Sequence, residues 1–332
     1  MQLNKINNFI QSNNNLNHII DYCKEYKSKN KFNVYLVGGI IRDILNESEA
    51  NFYDLDLVID GDIEQFVTKL SNDFKCEVKK AYEFLNYKIV LNNQLEIDIA
   101  HSRKETYEDI GKLPKWCKSN ILEDIKRRDF TINSIVLELT NGILQIIDPL
   151  EGVSDINNKI IRILHDNSFK DDPTRIYRAL RYKSRFDFDF DSDTEILLSD
   201  SIKHIKYLSK YRKNNEILKF LNEPNISKIL DLLNSNEFYK ELVPENFLSK
   251  INFINKKFWV NSSVIEKIFF SLLEVDQSPK NLFLNSLNIR RQDMQYIENL
   301  FNIKEKIQND ELIDKNKINL SDEIISNLYH CL

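Results

Sequence analysis

The fold of this chain is decided by Val34-Tyr-Leu-Val-Gly-Gly-Ile-Ile-Arg-Asp43 together with Asp54-Leu-Asp-Leu-Val-Ile59. The first run predicts an apolar strand that ends in a glycine pair at the start of a helix. The second predicts an apolar strand that carries two carboxylates. Because side chains alternate between the faces of a strand, Asp54 and Asp56 point to the same face. Two neighbouring carboxylates on a rigid strand suit Mg²⁺, which takes its other oxygens from phosphate and water.

The glycine pair adds a phosphate site to this metal site. Gly38 and Gly39 allow a phosphate to approach the backbone, and the N-terminus of the following helix favours an anion. A third carboxylate, Asp98, lies on another short β-rich run, Leu95–Ala100, on the same face as Glu96. Two Mg²⁺ ions bridged by shared carboxylates would activate a 3′-hydroxyl and stabilise a leaving pyrophosphate. The pattern therefore predicts nucleotide chemistry, whereas a solvated strand end is the alternative for an isolated pair of aspartates.

The composition of the 332 residues, with 42% hydrophobic and 29% charged residues, is typical of a soluble globular protein. The sequence has neither an apolar run long enough for a membrane span nor a signal peptide, so we expect no membrane partner. Four widely spaced cysteines favour a reducing, cytoplasmic location and argue against a zinc site. A net charge of −5 does not exclude nucleic acid, because phosphate binding depends on local patches.

All six glycines lie within the first 152 residues, where short β-rich runs alternate with helical patterns such as Ile63–Phe74. This alternation predicts an α+β module with a mixed sheet, and Asn92-Asn93 predicts a hairpin turn between two of its strands. From about residue 172 the pattern becomes helical, as in Ile176–Phe186 and Thr194–Leu208. We therefore expect four parts, namely an N-terminal helical extension (1–32), an α+β head (33–150), a helical neck (151–220) and a helical body and tail (221–332).

A second candidate motif is Arg127-Arg128-Asp129, which precedes the β-rich run Ile132–Leu139. Arginine presents a planar fork of donors that suits a triphosphate. Asp129 and Asn133 offer partners for ribose hydroxyls, a contact that would separate ribonucleotides from deoxyribonucleotides. A surface charge cluster is the alternative interpretation, and the position next to a predicted strand makes it the weaker one.

A third candidate motif begins with Asp171-Asp172-Pro-Thr-Arg175 at the start of a predicted helix. Arg175, Arg178 and Arg181 recur every third residue, and without intervening acids they would repel one another unless an anion lies nearby. Asp172 and Arg175 together offer an acceptor and donors that match the edge of a base. The alternative interpretation of the same residues is a solvated helix face.

In this order the three motifs resemble those of the class II tRNA nucleotidyltransferase and bacterial poly(A) polymerase family, within the polymerase-β-like nucleotidyltransferase superfamily. The resemblance is close over residues 34–186 and general in the helical remainder. It implies a polymerase-β-like head with a mixed sheet and helices, followed by an all-α neck, body and tail. It also implies that Lys104–Pro114 is a flexible loop that takes part in switching base specificity.

The resemblance also assigns roles to individual residues. It implies that Mg²⁺ is bound by Asp54 and Asp56, with Asp98 as a third acid, and that Asp172 and Arg175 recognise the edge of the incoming base. The full set of implied nucleotide contacts is Gly38, Gly39, Arg42, Arg128, Asp129, Asn133, Asp172, Arg175, Arg178 and Arg181. Within this set, Asp129 and Asn133 are implied to contact the ribose, and the glycines and the other arginines the triphosphate or nucleotide.

A basic stretch interleaved with tyrosine follows the third motif and is free of acids. We predict RNA contacts there, with a solvated helix face as the alternative; the candidates are Lys203, Lys206, Lys210, Arg212 and Lys213. The leading hypothesis is an enzyme that adds CCA, or a part of it such as the terminal A, to tRNA 3′ ends from CTP, ATP or both. The alternatives are a poly(A) polymerase, a small-molecule nucleotidyltransferase and, from another class, a non-catalytic RNA-binding protein.

Overall fold

A computed structural model of the chain describes residues 2–29, 32–47, 54–81, 86–91, 95–139, 144–223, 225–309, 311 and 321–332. The chain folds into two compact units. The first unit comprises residues 1–109, 113–168 and 189–194, and the second comprises residues 110–112, 169–188 and 195–332. The finer division into four parts stays a prediction.

The first unit combines helices with eleven described strands. In chain order its elements are α1 (Gln2–Ser12), α2 (Asn14–Lys29), β1 (Asn33–Val37), α3 (Gly39–Leu45), β2 (Asp54–Asp60), α4 (Ile63–Phe74), β3 (Val78–Ala81), β4 (Asn86–Leu91), β5 (Leu95–His101), β6 (Arg103–Thr106), β7 (Lys115–Lys118), α5 (Ile121–Lys126), β8 (Val136–Leu139), β9 (Leu144–Ile147), α6 (Gly152–Asn158), β10 (Ile160–Ile161) and β11 (Asp189–Phe190).

Seven of these strands form one sheet in the order β3-β4-β5-β2-β1-β8-β9. The β2–β5 pair is parallel, and the other pairs in the sheet are antiparallel. The mixed sheet predicted from the sequence is therefore confirmed. Along β2 the apolar side chains Leu55, Leu57 and Ile59 are buried, whereas Asp54 is exposed and Asp56 half-buried, as the alternation requires.

Helices cover the sheet through apolar residues at helical spacing. In α1, Ile6 and Ile10 are buried one turn apart, and α2 buries Leu16, Ile19 and Ile20. These two helices pack against β1, β8 and β9. Asp62 is the N-cap of helix α4, and its carboxylate accepts a hydrogen bond from Gln65 N at 3.0 Å.

Two segments of the first unit differ from the sequence prediction. The predicted run Ile132–Leu139 begins as a 3₁₀ turn, Thr131–Asn133, and only Val136–Leu139 is strand. The predicted loop Lys104–Pro114 is in part a hairpin, since β6 pairs antiparallel with β7 from Arg103↔Lys118 to Thr106↔Lys115. The predicted turn at Asn92-Asn93 lies outside the described residues, and the strands on either side of it, β4 and β5, pair antiparallel.

In the second unit, the regular elements among the described residues are helices. They are α7 (Ser168–Asp171, whose first residue lies in the first unit), α8 (Thr174–Phe186), α9 (Ser192–Ser201, which begins in the first unit), α10 (Lys210–Leu221), α11 (Ile226–Ser235), α12 (Glu237–Lys240), α13 (Lys256–Asn261), α14 (Val264–Ser271), α15 (Gln277–Asn285), α16 (Arg291–Gln308) and α17 (Asp322–Cys331). The α+β-then-helical fold class is thus confirmed.

One helix prediction in the second unit was too long. The predicted helix Thr194–Leu208 is split into α9 and a 3₁₀ segment, Ile202–Tyr207. Ile202 and Ile205 are both buried, and a spacing of three matches the 3₁₀ period. No helix among the described residues is both long and apolar enough to span a bilayer.

Candidate active site

The paired strands β2 and β5 bring the predicted metal ligands together. Because these strands are parallel and in register, Asp54 lies opposite Glu96 and Asp56 lies opposite Asp98. Asp54 is exposed, and Asp56 and Asp98 are half-buried. The three carboxylates predicted from separate runs of sequence therefore lie on neighbouring strands.

The surroundings of Asp56 and Asp98 disfavour the ionised form of each carboxyl group. Burial, with the added negative charges of Asp54 and Asp98, raises the pKa of Asp56 to about 6, although the positive charge of Arg128 opposes the shift. Burial also raises the pKa of Asp98, which forms an ion pair with Lys88 at 3.4 Å. A divalent cation bound at this position would relieve the repulsion among the acids.

The donors present fit Mg²⁺ rather than a softer metal, because they are carboxylate oxygens. Across the described part of the chain, no group of three or more His, Cys, Asp or Glu side chains is gathered closely enough to enclose a metal. That arrangement still suits Mg²⁺, which binds protein through one or two carboxylates and completes its shell with phosphate and water.

Gly38 provides the space in which the Asp56 carboxylate lies. It has a φ of +84°, and a Cβ atom at this position would lie 2.2 Å from Asp56 Oδ2. At Gly39, a Cβ atom would lie 2.9 Å from Arg42 Nη2, the end of a flexible side chain. The first glycine is therefore required by both backbone conformation and space, whereas an alanine at the second position needs only a shift of the Arg42 side chain.

We expect the Gly38→Ala substitution to displace Asp56 and to lower activity at least about 10²-fold more than Gly39→Ala does. The alanine must adopt a left-handed backbone, at a cost of roughly 1–2 kcal/mol, and its methyl group collides with the carboxylate. Steady-state rates of both variants measure the difference, with thermal melts to confirm folding. Equal rates would show that Gly38 does not position Asp56.

A buried hydrogen-bond network joins three predicted nucleotide-binding residues. Arg42 Nη1 donates to Asn133 Oδ1 at 2.6 Å, and Asn133 Nδ2 donates to Asp129 Oδ1 at 2.9 Å. Arg42 also donates through Nε to Asp43 at 2.8 Å. The network fixes which way the Asn133 amide faces and connects the glycine-pair helix α3 to the 3₁₀ turn that contains Asn133.

Asp124, three residues before Arg127, has a structural role in the second motif. It is fully buried, and its carboxylate accepts hydrogen bonds from Arg127 Nε at 2.8 Å and Arg128 Nη2 at 3.0 Å. Arg128 Nη1 also donates to Asn133 O at 3.3 Å, whereas Arg128 Nε is a buried donor without a hydrogen-bond partner among the described residues. Asp124 thus positions Arg128, whose positive charge acts to lower the pKa of Asp56.

In the second unit, Asp172 is held at the start of α8. Its Oδ1 accepts hydrogen bonds from Thr174 N at 3.0 Å and from Arg212 Nη2 at 2.8 Å. Arg212 Nη1 also donates to Gly111 O at 2.5 Å, and residues 110–112 belong to this unit. Arg212, predicted as an RNA contact, therefore joins Asp172 to the tip of the predicted specificity loop.

The three spaced arginines of α8 have different surroundings. Arg175 is buried, and half-buried Arg178 donates to the Tyr182 hydroxyl at 3.0 Å. Arg181 is buried and forms ion pairs with Glu216 and Glu223, each at 3.3 Å. The anion expected near Arg181 is therefore supplied within the unit by two glutamates, which the sequence analysis missed because they lie more than 30 residues away.

The five residues predicted to bind RNA differ in their exposure to solvent. Lys203, Lys206 and Lys210 are exposed, whereas Arg212 and Lys213 are half-buried. Lys213 Nζ donates to Glu241 O at 3.4 Å. The three lysines are therefore accessible to a partner in solution, whereas Arg212 and Lys213 also donate hydrogen bonds within the protein.

Comparison with known proteins gives relatives in both sequence and structure. Residues 34–162 match the family described as the Poly A polymerase head domain. An A-adding tRNA nucleotidyltransferase of Halalkalibacterium halodurans is 40% identical over 171 residues, which are 51% of this chain and 40% of that protein. A CCA-adding enzyme of Francisella tularensis subsp. tularensis is 34% identical over 73% of this chain and 67% of its own length.

A solved structure of a tRNA nucleotidyltransferase, complexed with a primer tRNA and an incoming ATP analogue, is also similar. It has a TM-score of 0.73 and 25% identity, over 93% of this chain and 94% of that one. The chain spans about two fifths of the length of the Halalkalibacterium relative. The similarity thus extends beyond the α+β head to 73% of this chain in sequence and to 93% of it in fold.

Proposed function

Because this chain belongs to the family of CCA-adding and A-adding tRNA nucleotidyltransferases, we propose that it adds nucleotides from CTP, ATP or both to the 3′ end of tRNA, with Mg²⁺ as cofactor. The observation that carries the proposal is the placement of Asp54 and Asp56 beside Asp98 on paired strands, next to the space left by Gly38. A clustered set of acids is costly to a protein that has no cation to bind.

In the proposed mechanism, Asp54 and Asp56 would hold Mg²⁺, with Asp98 as the third acid. When bound, Mg²⁺ lowers the pKa of an attacking hydroxyl and neutralises phosphate charge. Gly38 and Gly39 let phosphate reach the backbone, and Arg128 adds positive charge where the pyrophosphate leaves. Asp129 and Asn133, fixed by Arg42, hold the ribose hydroxyls.

The second unit supplies base recognition in this proposal. Asp172 and Arg175 offer an acceptor and donors to the Watson–Crick edge, and Arg178 and Arg181 contribute positive charge. Arg181 already forms ion pairs with Glu216 and Glu223, so we assign it to holding α8 and α10 together as well. Exposed Lys203, Lys206 and Lys210 bind RNA phosphates.

The test incubates the purified protein and Mg²⁺ with CTP or ATP separately. The acceptors are tRNA transcripts that lack the whole CCA end, transcripts that lack only the terminal A, and an unrelated RNA. Addition of C to the first transcript and A to the second supports full CCA addition, whereas A on the second alone supports an A-adding enzyme. Long A tracts on unrelated RNA would identify a poly(A) polymerase, and binding without incorporation a non-catalytic RNA-binding protein.

We also propose a cytoplasmic location. All four cysteines are free thiols in the structure, two of them buried. Free thiols are typical of a reducing compartment.

We expect Arg212→Lys to raise KM for the nucleotide roughly 10-fold or more and to leave RNA affinity within about twofold. Lysine is a point charge that cannot donate to Asp172 and Gly111 in the fixed directions of a guanidinium, and one charge-assisted hydrogen bond contributes about 1.5–3 kcal/mol. Nucleotide titrations and RNA binding curves measure the two effects.

Lys210→Gln is the matched control for Arg212→Lys, because Lys210 is exposed and lies two residues away. This control should weaken RNA binding and leave the nucleotide KM unchanged. If Arg212→Lys instead weakened RNA binding alone, its sequence-based assignment as an RNA contact would be correct and its role at Asp172 wrong.

A further inference from the structure

Two tyrosines of the second unit present their rings to solvent beside the lysines. Tyr207 is 50% exposed and Tyr211 is 53% exposed, whereas Tyr177 and Phe220 of the same unit are fully buried. Tyr211 has neither a ring contact nor a side-chain hydrogen bond among the residues that the structure describes. Two large exposed rings do not contribute the free energy of burial that the buried aromatic rings of this unit contribute.

The backbone that carries these rings is held firmly. Ile205 and Leu208 are buried, and Ser209 Oγ accepts a hydrogen bond from Arg212 N at 3.3 Å at the start of α10. A Cβ atom at Gly111 would lie 3.3 Å from backbone atoms of Tyr207, so the loop tip packs closely there. The exposed rings therefore stand on an ordered support and need little ordering when a ligand binds.

The surroundings of the rings are positively charged. Lys203, Lys206 and Lys210 are exposed, as is Lys170 of α7. Burial, with the positive charges of Lys203, Lys170 and Lys206, lowers the pKa of His204, so Lys170 belongs to the same charged region. Among the described residues these four lysines form no ion pair. Lys206 Nζ lies 5.2 Å from the centroid of the Tyr207 ring.

We propose that Tyr207 and Tyr211 form a stacking surface for unpaired nucleotides at the 3′ end of the acceptor RNA, with Lys170, Lys203, Lys206 and Lys210 on the adjoining phosphates. The inference rests on the proposed function and names the part of the RNA that this surface binds. Exposed aromatic rings between cations match single-stranded RNA, whose bases offer free faces to stack upon. A duplex offers phosphates but hides its base faces.

The test measures RNA affinity of the full-length protein by fluorescence anisotropy without nucleotide. One RNA is a tRNA transcript that ends in unpaired CC, and the other is the same transcript with its 3′ end paired in a blunt stem. The Tyr207→Ala/Tyr211→Ala double variant should bind the unpaired end at least about 5-fold more weakly and the blunt RNA equally well. Tyr207→Phe/Tyr211→Phe is the matched control and should bind both RNAs like the wild type.

Salt dependence separates stacking from charge. The alanine variant should keep the wild-type slope of log Kd against log salt, whereas Lys203→Gln/Lys206→Gln should lower that slope by roughly 1.4–1.8. Unchanged binding by the alanine variant, equal weakening for the blunt RNA, or a phenylalanine variant as weak as the alanine one would each overturn the inference.

The same measurements distinguish this inference from the proposed function. If the wild type adds no nucleotide but the alanine variant still binds the RNA with the unpaired end more weakly than the wild type does, the proposed activity fails and the stacking surface stands. If the wild type adds nucleotides and the alanine variant binds and extends RNA equally well, only the stacking surface fails.

Discussion

Asp56→Asn is expected to lower the rate of nucleotide incorporation by roughly 10²- to 10³-fold while the chain stays folded. Asparagine keeps the shape of aspartate but removes the charge that would hold a divalent cation. In EDTA the free energy of unfolding should not fall, because the lost charge is half-buried and close to Asp54 and Asp98. Rate measurements and thermal melts on the same samples test both expectations.

Magnesium titration gives a readout that does not depend on activity. Added Mg²⁺ should raise the melting temperature of the wild type and not that of Asp56→Asn, because only a bound ligand stabilises the folded state. Asp73→Asn is the matched control, since Asp73 is an exposed aspartate on α4 of the same unit. If Asp56→Asn incorporated nucleotide at the wild-type rate, the metal assignment would be wrong.

Asp124→Asn is expected to lower the free energy of unfolding by about 3–5 kcal/mol, the largest stability effect that we expect in the first unit. The substitution leaves Arg127 and Arg128 without the carboxylate that both share at 2.8 and 3.0 Å. It also frees Arg128 to move, so KM for the nucleotide should rise. Urea unfolding monitored by circular dichroism measures the first effect.

Glu123→Gln provides a stringent comparison, because it removes the neighbouring acid on the same helix α5. Glu123 pairs with Lys126 at 2.7 Å and Lys104 at 3.7 Å on the surface. A surface pair of this kind contributes about 0–1 kcal/mol, so this variant should be nearly as stable as the wild type. A similar decrease in the free energy of unfolding in both variants would show that the burial of Asp124 does not account for its contribution to stability.

Local patterns in the sequence predicted the parts of the fold that depend on near neighbours. The alternation of Asp54–Ile59 predicted β2, which is Asp54–Asp60, and the apolar spacing predicted α4 with its observed bounds, Ile63–Phe74. Both signals act over a few residues, since side-chain alternation and helical spacing are set within the element itself. They also placed Asp54 and Asp56 on one face of the strand.

Contacts between distant segments could not be predicted in the same way. The parallel register that sets Asp98 opposite Asp56 depends on which strands pair, and no local pattern specifies that pairing. The partners of Arg181 and the burial of Asp124 likewise depend on tertiary packing. Strand β6, Arg103–Thr106, consists of charged and polar residues only, which hid the short β6–β7 hairpin.

Helices α1 and α2 have a practical consequence for experiments with shortened versions of this chain. Ile6, Ile10 and Leu16 are buried, and the helices pack on β1, β8 and β9, whereas the family match begins only at residue 34. A fragment cut to that match would expose the apolar sheet face and tend to aggregate. Inactivity of such a fragment would therefore report failed folding and would not locate a substrate contact in the first 29 residues.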